Sequence, residues 1–228
     1  NKAGLGRALA VGVKHLSMSV SASETHSQKN LNRTVAEART ALMPTIEKAL
    51  GEGIMVRAGI QSALGCGFEG AIDPRVVIDI ARDYAAAGVH EINIADTSGL
   101  ANPRQVYDLC SAVRDVGGDS IQLSLHLHDT RGMGIANMVA GVQAGVRIFD
   151  AALGGLGGCP FVPKATGNIS TEDAVFTLTE MGLETGIDWR ALKPAVARAE
   201  DMLGRRLPGR MGHISQPGDA GTEEGACA

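Results

Sequence analysis

Short apolar runs alternate with longer amphipathic segments along the chain. Five of the runs, "KHLSMSVS" from Lys14, "IMVRAGIQS" from Ile54, "HEINIADTSG" from His90, "IQLSLHLHDT" from Ile121 and "RIFDAALGG" from Arg147, close in polar or glycine-containing sequence and predict β-strands. Helical spacing fills the intervals. "DPRVVIDIARDYAAAG" predicts a helix with Asp73 as N-cap, Pro74 in its first turn and Gly88 past its end; "NPRQVYDLCSAVRDVGG" repeats the design with Asn102, Pro103 and Gly117. Thr171 and Asp188 are expected to cap two more helices. Strand and helix in alternation predict parallel strands with helices packed outside. No G-x-G-x-x-G follows a strand, so the expected fold class is α/β, a (βα)8 TIM barrel rather than a doubly wound sheet. Such a barrel has eight strands, so this chain is expected to supply about the last five βα units, with about three more upstream of Asn1. Residues 1–206 are expected to form the C-terminal part of the barrel domain. Residues 207–228, poor in apolar periodicity and rich in Gly and Pro, are expected to be a flexible tail holding His213 and Cys227.

Composition sharpens this in three ways. The chain has 228 residues, 44% of them hydrophobic but only 3% aromatic, with 30 glycines, so aliphatic side chains must fill the core and glycine-rich turns must join the elements. A net charge of −4 with scattered Lys and Arg argues against nucleic acid as a partner, and no apolar run approaches a membrane span of about eighteen residues. Cys66, Cys110, Cys159 and Cys227 show no CxxC spacing, which suits reduced thiols and a cytoplasmic location.

The chemistry gathers at strand ends. In "LSLHLHDTRG" the i, i+2 spacing turns His126 and His128 to one face of a strand, close enough to share one ion. The pair alone leaves open a plainer reading, one hydrogen-bonded interior imidazole and one facing a loop. At the next strand's end, "GGLGGCPFVPKATGNISTED" sets four glycines around Leu156 ahead of Cys159, which implies backbone that turns sharply or closely approaches a ligand. Asn168 follows with an amide oxygen, a hard ligand. Two imidazoles and oxygen donors without a Cys pair suit Mg or Mn with open positions. Asp96 in "NIADTSGL" either bonds a ligand or caps the next turn, and His26 in "SASETHSQKN" reads as a solvated loop histidine.

Taken together, "HLHDTRG", "GGLGGCPFVPKATGN", "ADTSGL", "SASETHSQKN" and "SALGCGFEG" resemble the 3-hydroxy-3-methylglutaryl-CoA lyase family, within a wider set of metal-dependent (βα)8 lyases and condensing enzymes. The resemblance runs from Asn1 to about Arg206. It implies that His126, His128 and Asn168 ligate a divalent Mg or Mn ion, that His126 takes part in proton transfer and that Cys159 is the loop acid/base; Asp96, at the same barrel mouth, is expected to serve catalysis with them. Ser23, Asn30 and Thr97, polar residues at strand ends, and the cations Arg131 and Lys164 at the same mouth are expected to contact an acyl-CoA substrate. The implied reaction is a retro-Claisen cleavage of hydroxymethylglutaryl-CoA, or a related 3-hydroxyacyl-CoA, to acetyl-CoA and a ketoacid by a homo-oligomer, a dimer or tetramer. Arg131 stands where the family commonly has an aromatic residue and Lys164 where glycine is common, and the added cations suit a more acidic or longer acyl group. The family's first strand carries an Arg-Asp pair that this sequence does not include. Two other readings remain at this point. One is a condensing enzyme joining an acyl-CoA to a 2-oxo acid, which the cysteine-bearing glycine loop disfavours; the other is a non-catalytic barrel fragment.

Overall fold

The computed structural model describes residues 2–118, 120–158 and 167–214. Helix α1 (Lys2–Ala10) leads into β1 (His15–Ser21), followed by α2 (Glu24–Leu31) and α3 (Val35–Gly51). Then come β2 (Met55–Gln61), α4 (Pro74–Ala87), β3 (Glu91–Asp96), α5 (Pro103–Gly117), β4 (Gln122–Leu127), α6 (Gly134–Gln143) and β5 (Ile148–Asp150). A 3-10 turn (Leu153–Gly155), α7 (Thr171–Glu180) and α8 (Lys193–Leu203) complete the described elements. The five strands pair in parallel in the order β1-β2-β3-β4-β5. Strands laid down in chain order without a reversal make the wall of a barrel; a doubly wound sheet turns back at a switch point.

The local signals act as their chemistry dictates. Asp73 accepts the Arg75 amide ahead of Pro74, and Gly88 closes α4 in the left-handed region at φ 77°. Asn102 and Gln105 form a reciprocal capping box on α5. Two expected caps move. Ser170, rather than Thr171, accepts the Asp173 amide to start α7. Asp188 accepts from Arg190 N at a 3-10 turn (Arg190–Leu192), and α8 begins only after it.

Strand alternation divides the sheet into two chemically different faces. Val56, Ala58, Ile60, Ile92, Ile94, Leu125 and Leu127 belong to the buried core between sheet and helices. The opposite positions are polar and stand in register: Ser17, Arg57, Glu91 and Gln122 in one row, then Ser19, Gly59, Asn93 and Ser124, then Ala95, His126 and Asp150. Aliphatic residues thus fill the outer layer as composition requires, while the barrel's interior face carries charge.

Residues 207–214, placed by sequence in the tail, are packed. Leu207 and Met211 are buried, Gly209 N donates to Gly154 O, and the amides of Arg210 and Met211 donate to Asp173. His213 is held by Gly209 O and Glu200. Two apolar residues four apart in glycine-rich sequence make no periodic pattern, so this contact was not legible. Cys227 lies outside the described residues.

Candidate active site

A cavity of about 380 Å³ opens on the polar face, lined by residues that include His26, Asn30, Arg57, Thr97, His126, His128 and Asp150. β4 ends at Leu127, so His126 is its last inward side chain and His128 follows one pleat further on. Their Nε2 atoms lie 3.3 Å apart, with the ring centroids 5.2 Å apart and the planes tilted by 57°. Asn168 arrives beside them because its backbone pairs with His128 in an antiparallel bridge. Asp129 N donates to Gly167 O and Ile169 N to Leu127 O on either side. The Asn168 Nδ2 donates to Leu156 O at 2.8 Å, which orients the amide and leaves Oδ1 buried with no donor in bonding geometry.

That set fits a divalent ion. Two ligands set at right angles about 2.1 Å from one ion are about 3 Å apart, close to the imidazole spacing found here. Burial, followed by the proximity of His126, lowers the His128 pKa, which keeps this imidazole neutral as a ligand must be. The Asn168 side chain also interacts with the His128 ring, which sets an amide oxygen beside an imidazole nitrogen. Among the described residues no three His, Cys, Asp or Glu side chains gather as a metal group; the set described here is two imidazoles and one amide.

Several expected site residues have other partners. Ser23 is fully buried as the N-cap of α2; its hydroxyl accepts His26 N and donates to Cys66 Sγ at 3.0 Å, and it does not line the cavity. Arg131 spends its guanidinium on the carbonyls of Gly99 and Leu100, clasping the loop after β3, and is likewise absent from the cavity wall. Asp96, fully buried, accepts Leu100 N at 2.9 Å and Ala101 N at 3.2 Å, which is turn capping. Asn30 and Thr97 do line the cavity, and Thr97 Oγ1 also accepts Ser62 N. Cys159 and Lys164 lie outside the described residues. Cys110 is buried on α5 with its thiol pushed up to about 12 by desolvation, an inert position.

Three residues at the site escaped sequence reasoning. His26 is buried, not solvated: α2 turns it onto the cavity wall, and desolvation lowers its pKa. Asp150 lies 3.1 Å from His126 Nδ1, and Arg57 grips the same carboxylate with both Nη atoms. Burial would raise the Asp150 pKa, but the bonds from His126 and Arg57 outweigh it and bring it down to about 2.

The Asp96 carboxyl behaves oppositely. Burial pushes it up to about 6 against the pull of the Ala101 and Leu100 amides. The folded state therefore keeps a proton that the unfolded chain loses near about 3.9. The stability this adds is complete below that value and is lost as pH rises through about 6. We expect the unfolding free energy of wild type to fall by about 2 kcal/mol relative to Asp96→Asn between about pH 4 and pH 7, read by urea titration. An unchanged difference would mean that Asp96 titrates normally.

Comparison with known proteins finds a matching family and solved relatives. The HMGL-like family model matches residues 1–197. An (R)-citramalyl-CoA lyase of Chloroflexus aurantiacus is 41% identical over 93% of this chain and 67% of its own length. A hydroxymethylglutaryl-CoA lyase of Bacillus subtilis is 36% identical over 92% of this chain and 70% of its own. The solved structure of an HMG-CoA lyase from Acinetobacter baumannii, in complex with coenzyme A and 3-methylmalate, superposes with a TM-score of 0.89 at 37% identity, covering 98% of this chain and 73% of that one. These relatives are CoA-ester lyases on TIM barrels, and this chain, with about two thirds of their length and five strands of the same wall, belongs to the HMGL-like family.

Proposed function

We propose that the protein cleaves a tertiary 3-hydroxyacyl-CoA to acetyl-CoA and a keto acid. The observation that carries the proposal is the pair His126 and His128, Nε2 to Nε2 at 3.3 Å on the cavity wall, with Asn168 bridged to His128 behind it, in a chain of this family. A divalent ion held by these three residues, Mg or Mn, would polarise the substrate's oxygens. A base at the cavity takes the tertiary hydroxyl's proton; the bond between C2 and C3 then breaks, C3 becomes a ketone, and the pair of electrons passes to the thioester enolate. His126, with both ring nitrogens engaged, is assigned to holding the ion that the hydroxyl meets rather than to taking its proton. Cys159 is assigned the return of a proton to the enolate carbon, the glycine-rich segment before it bringing backbone close to the site. Asn30, Thr97 and His26 line the volume available to the acyl group. Asp96, bound to two amides, and Arg131, bound to two carbonyls, are assigned to holding the loop after β3 rather than to proton transfer or substrate contact, and Ser23 to capping α2.

Hydroxymethylglutaryl-CoA and citramalyl-CoA share the tertiary hydroxyl, the methyl group and the thioester arm, and differ by one methylene in the acid arm. A methylene in a fitted pocket discriminates by about 10- to 200-fold. Assayed side by side for acetyl-CoA release, one of the two esters is expected to lead by a factor in that range, with activity abolished by chelator and restored by Mn. Thiol release from acetyl-CoA plus a 2-oxo acid, with neither ester cleaved, would replace the lyase by a condensing enzyme.

A further inference from the structure

An imidazole offers a metal only the nitrogen that lacks a proton, and which one that is depends on the partner of the other. His126 stands in register with Asp150 across the β4–β5 pair, and the carboxylate meets Nδ1 at 3.1 Å. An ionised carboxylate can only accept, so this contact requires the proton on Nδ1 and leaves the Nε2 lone pair facing His128.

Asp150 is itself poorly anchored by its own strand, which is three residues long and runs straight into the glycine segment. Arg57 supplies the anchor from β2, across two intervening strands. Its Nη1 donates to Asp150 Oδ1 at 3.0 Å and its Nη2 to Oδ2, the planar fork that matches a carboxylate. Arg57 is steadied in turn by Glu91, whose Oε1 lies 3.0 Å from Nε, and Glu91 receives the Ser124 hydroxyl. The chain Glu91, Arg57, Asp150, His126 thus runs sideways through the barrel's interior face from β3 to β4. Glu91 is buried and Arg57 and Asp150 half-buried, and withdrawing such charges from water is rarely worthwhile for stability alone, since apolar side chains of similar volume do as well. Arg57, Asp150 and His126 all line the cavity, and their arrangement suits a geometric task at His126, the end that meets His128.

We propose that Asp150, clamped by Arg57, is a positioning residue that fixes the tautomer and ring orientation of His126 so that Nε2 faces the ion-binding set. This rests on the reading of His126, His128 and Asn168 as metal donors, and the test keeps the two apart. Nitrogen-15 imidazole shifts of the metal-free protein, taken above the histidine titration range, are expected to show His126 protonated at Nδ1 in wild type and largely at Nε2 in Asp150→Ala. Calorimetric titration with Mn is expected to show a 10- to 100-fold weaker affinity in the variant, the usual cost of losing such a partner. Arg57→Lys, which keeps the charge but not the fork, serves if Asp150→Ala does not fold, and is expected to give a mixed tautomer and a several-fold loss. An unchanged His126 tautomer in the folded variant overturns the proposal, as does Mn affinity within twofold of wild type. If wild type itself binds no Mn, the metal reading fails, and the tautomer comparison alone decides the role of Asp150.

Discussion

Replacing His128 by alanine is expected to lower kcat/KM for CoA-ester cleavage by about a thousandfold, because losing a bound ion forfeits several kcal/mol of transition-state charge stabilisation. The fold should survive. His128 is 6% exposed but sits beyond the last residue of β4, and its backbone pairing with Asn168 does not depend on the ring. The truncation leaves His126 and Asn168 as two donors across a gap, too few to hold a labile ion tightly. Calorimetry with Mn should show affinity falling in parallel with activity, while the melting temperature of the metal-free protein stays within a few degrees. His26→Phe is the contrasting variant. It alters the same cavity wall from α2 without touching the ion-binding set, so it should change the preference between the two candidate esters and leave Mn affinity intact. Activity within tenfold of wild type in His128→Ala would remove the ion from the reaction.

How much of this was legible depended on how far apart the partners lie in the chain. All five strands stand within the apolar runs, and the capping residues Asp73 and Asn102 bond amides two and three positions away, so a local window contains the whole interaction. His126 and His128 were legible for the same reason, since the period of a strand alone puts them on one face. Asn168 was legible by type as a hard ligand, but no local rule brings it beside His128. Arg57 and Asp150 are separated by 93 residues, and only the parallel register of four strands brings them together. Ser23, Asp96 and Arg131 show the opposite failure. Their types suit ligand contact, but their bonds go largely to backbone groups of nearby turns, and composition cannot tell a carbonyl partner from a substrate. His26 misled because α2 is eight residues of largely polar sequence, which reads as loop until its packed face is seen.

The glycines around Leu156 had a clear implication, backbone at close quarters, and the second largest effect expected here follows from it. Gly154, Gly155 and Gly157 adopt φ of 61°, 74° and 113°, values that side chains other than glycine resist. Gly167 is different: its φ is ordinary, but a Cβ built there would lie 1.9 Å from Gly155 O and 3.0 Å from Gly157 O. Both obstacles are main chain and cannot rotate away. An alanine at 167 must therefore push the segment 155–157 and the segment 167–169 apart, and the second carries Asn168 along with the bonds between Asp129 N and Gly167 O and between Ile169 N and Leu127 O. Overpacking of this kind costs about 1–3 kcal/mol or more, and each kcal/mol lowers Tm by about 2–4 °C in a chain of this size. Gly167→Ala is thus expected to melt roughly 2–12 °C below wild type. Mn affinity should fall by more than that destabilisation explains, because the donor amide is displaced even in the folded protein. Gly51→Ala supplies the control: it sits at the end of α3 with no atom within 4 Å of a built Cβ, so helix propensity alone should make it neutral or stabilising by up to about 1 kcal/mol. A Gly167→Ala protein that melts with wild type and binds Mn as tightly would mean that these two segments do not lie in contact, and that Asn168 is not held beside His128.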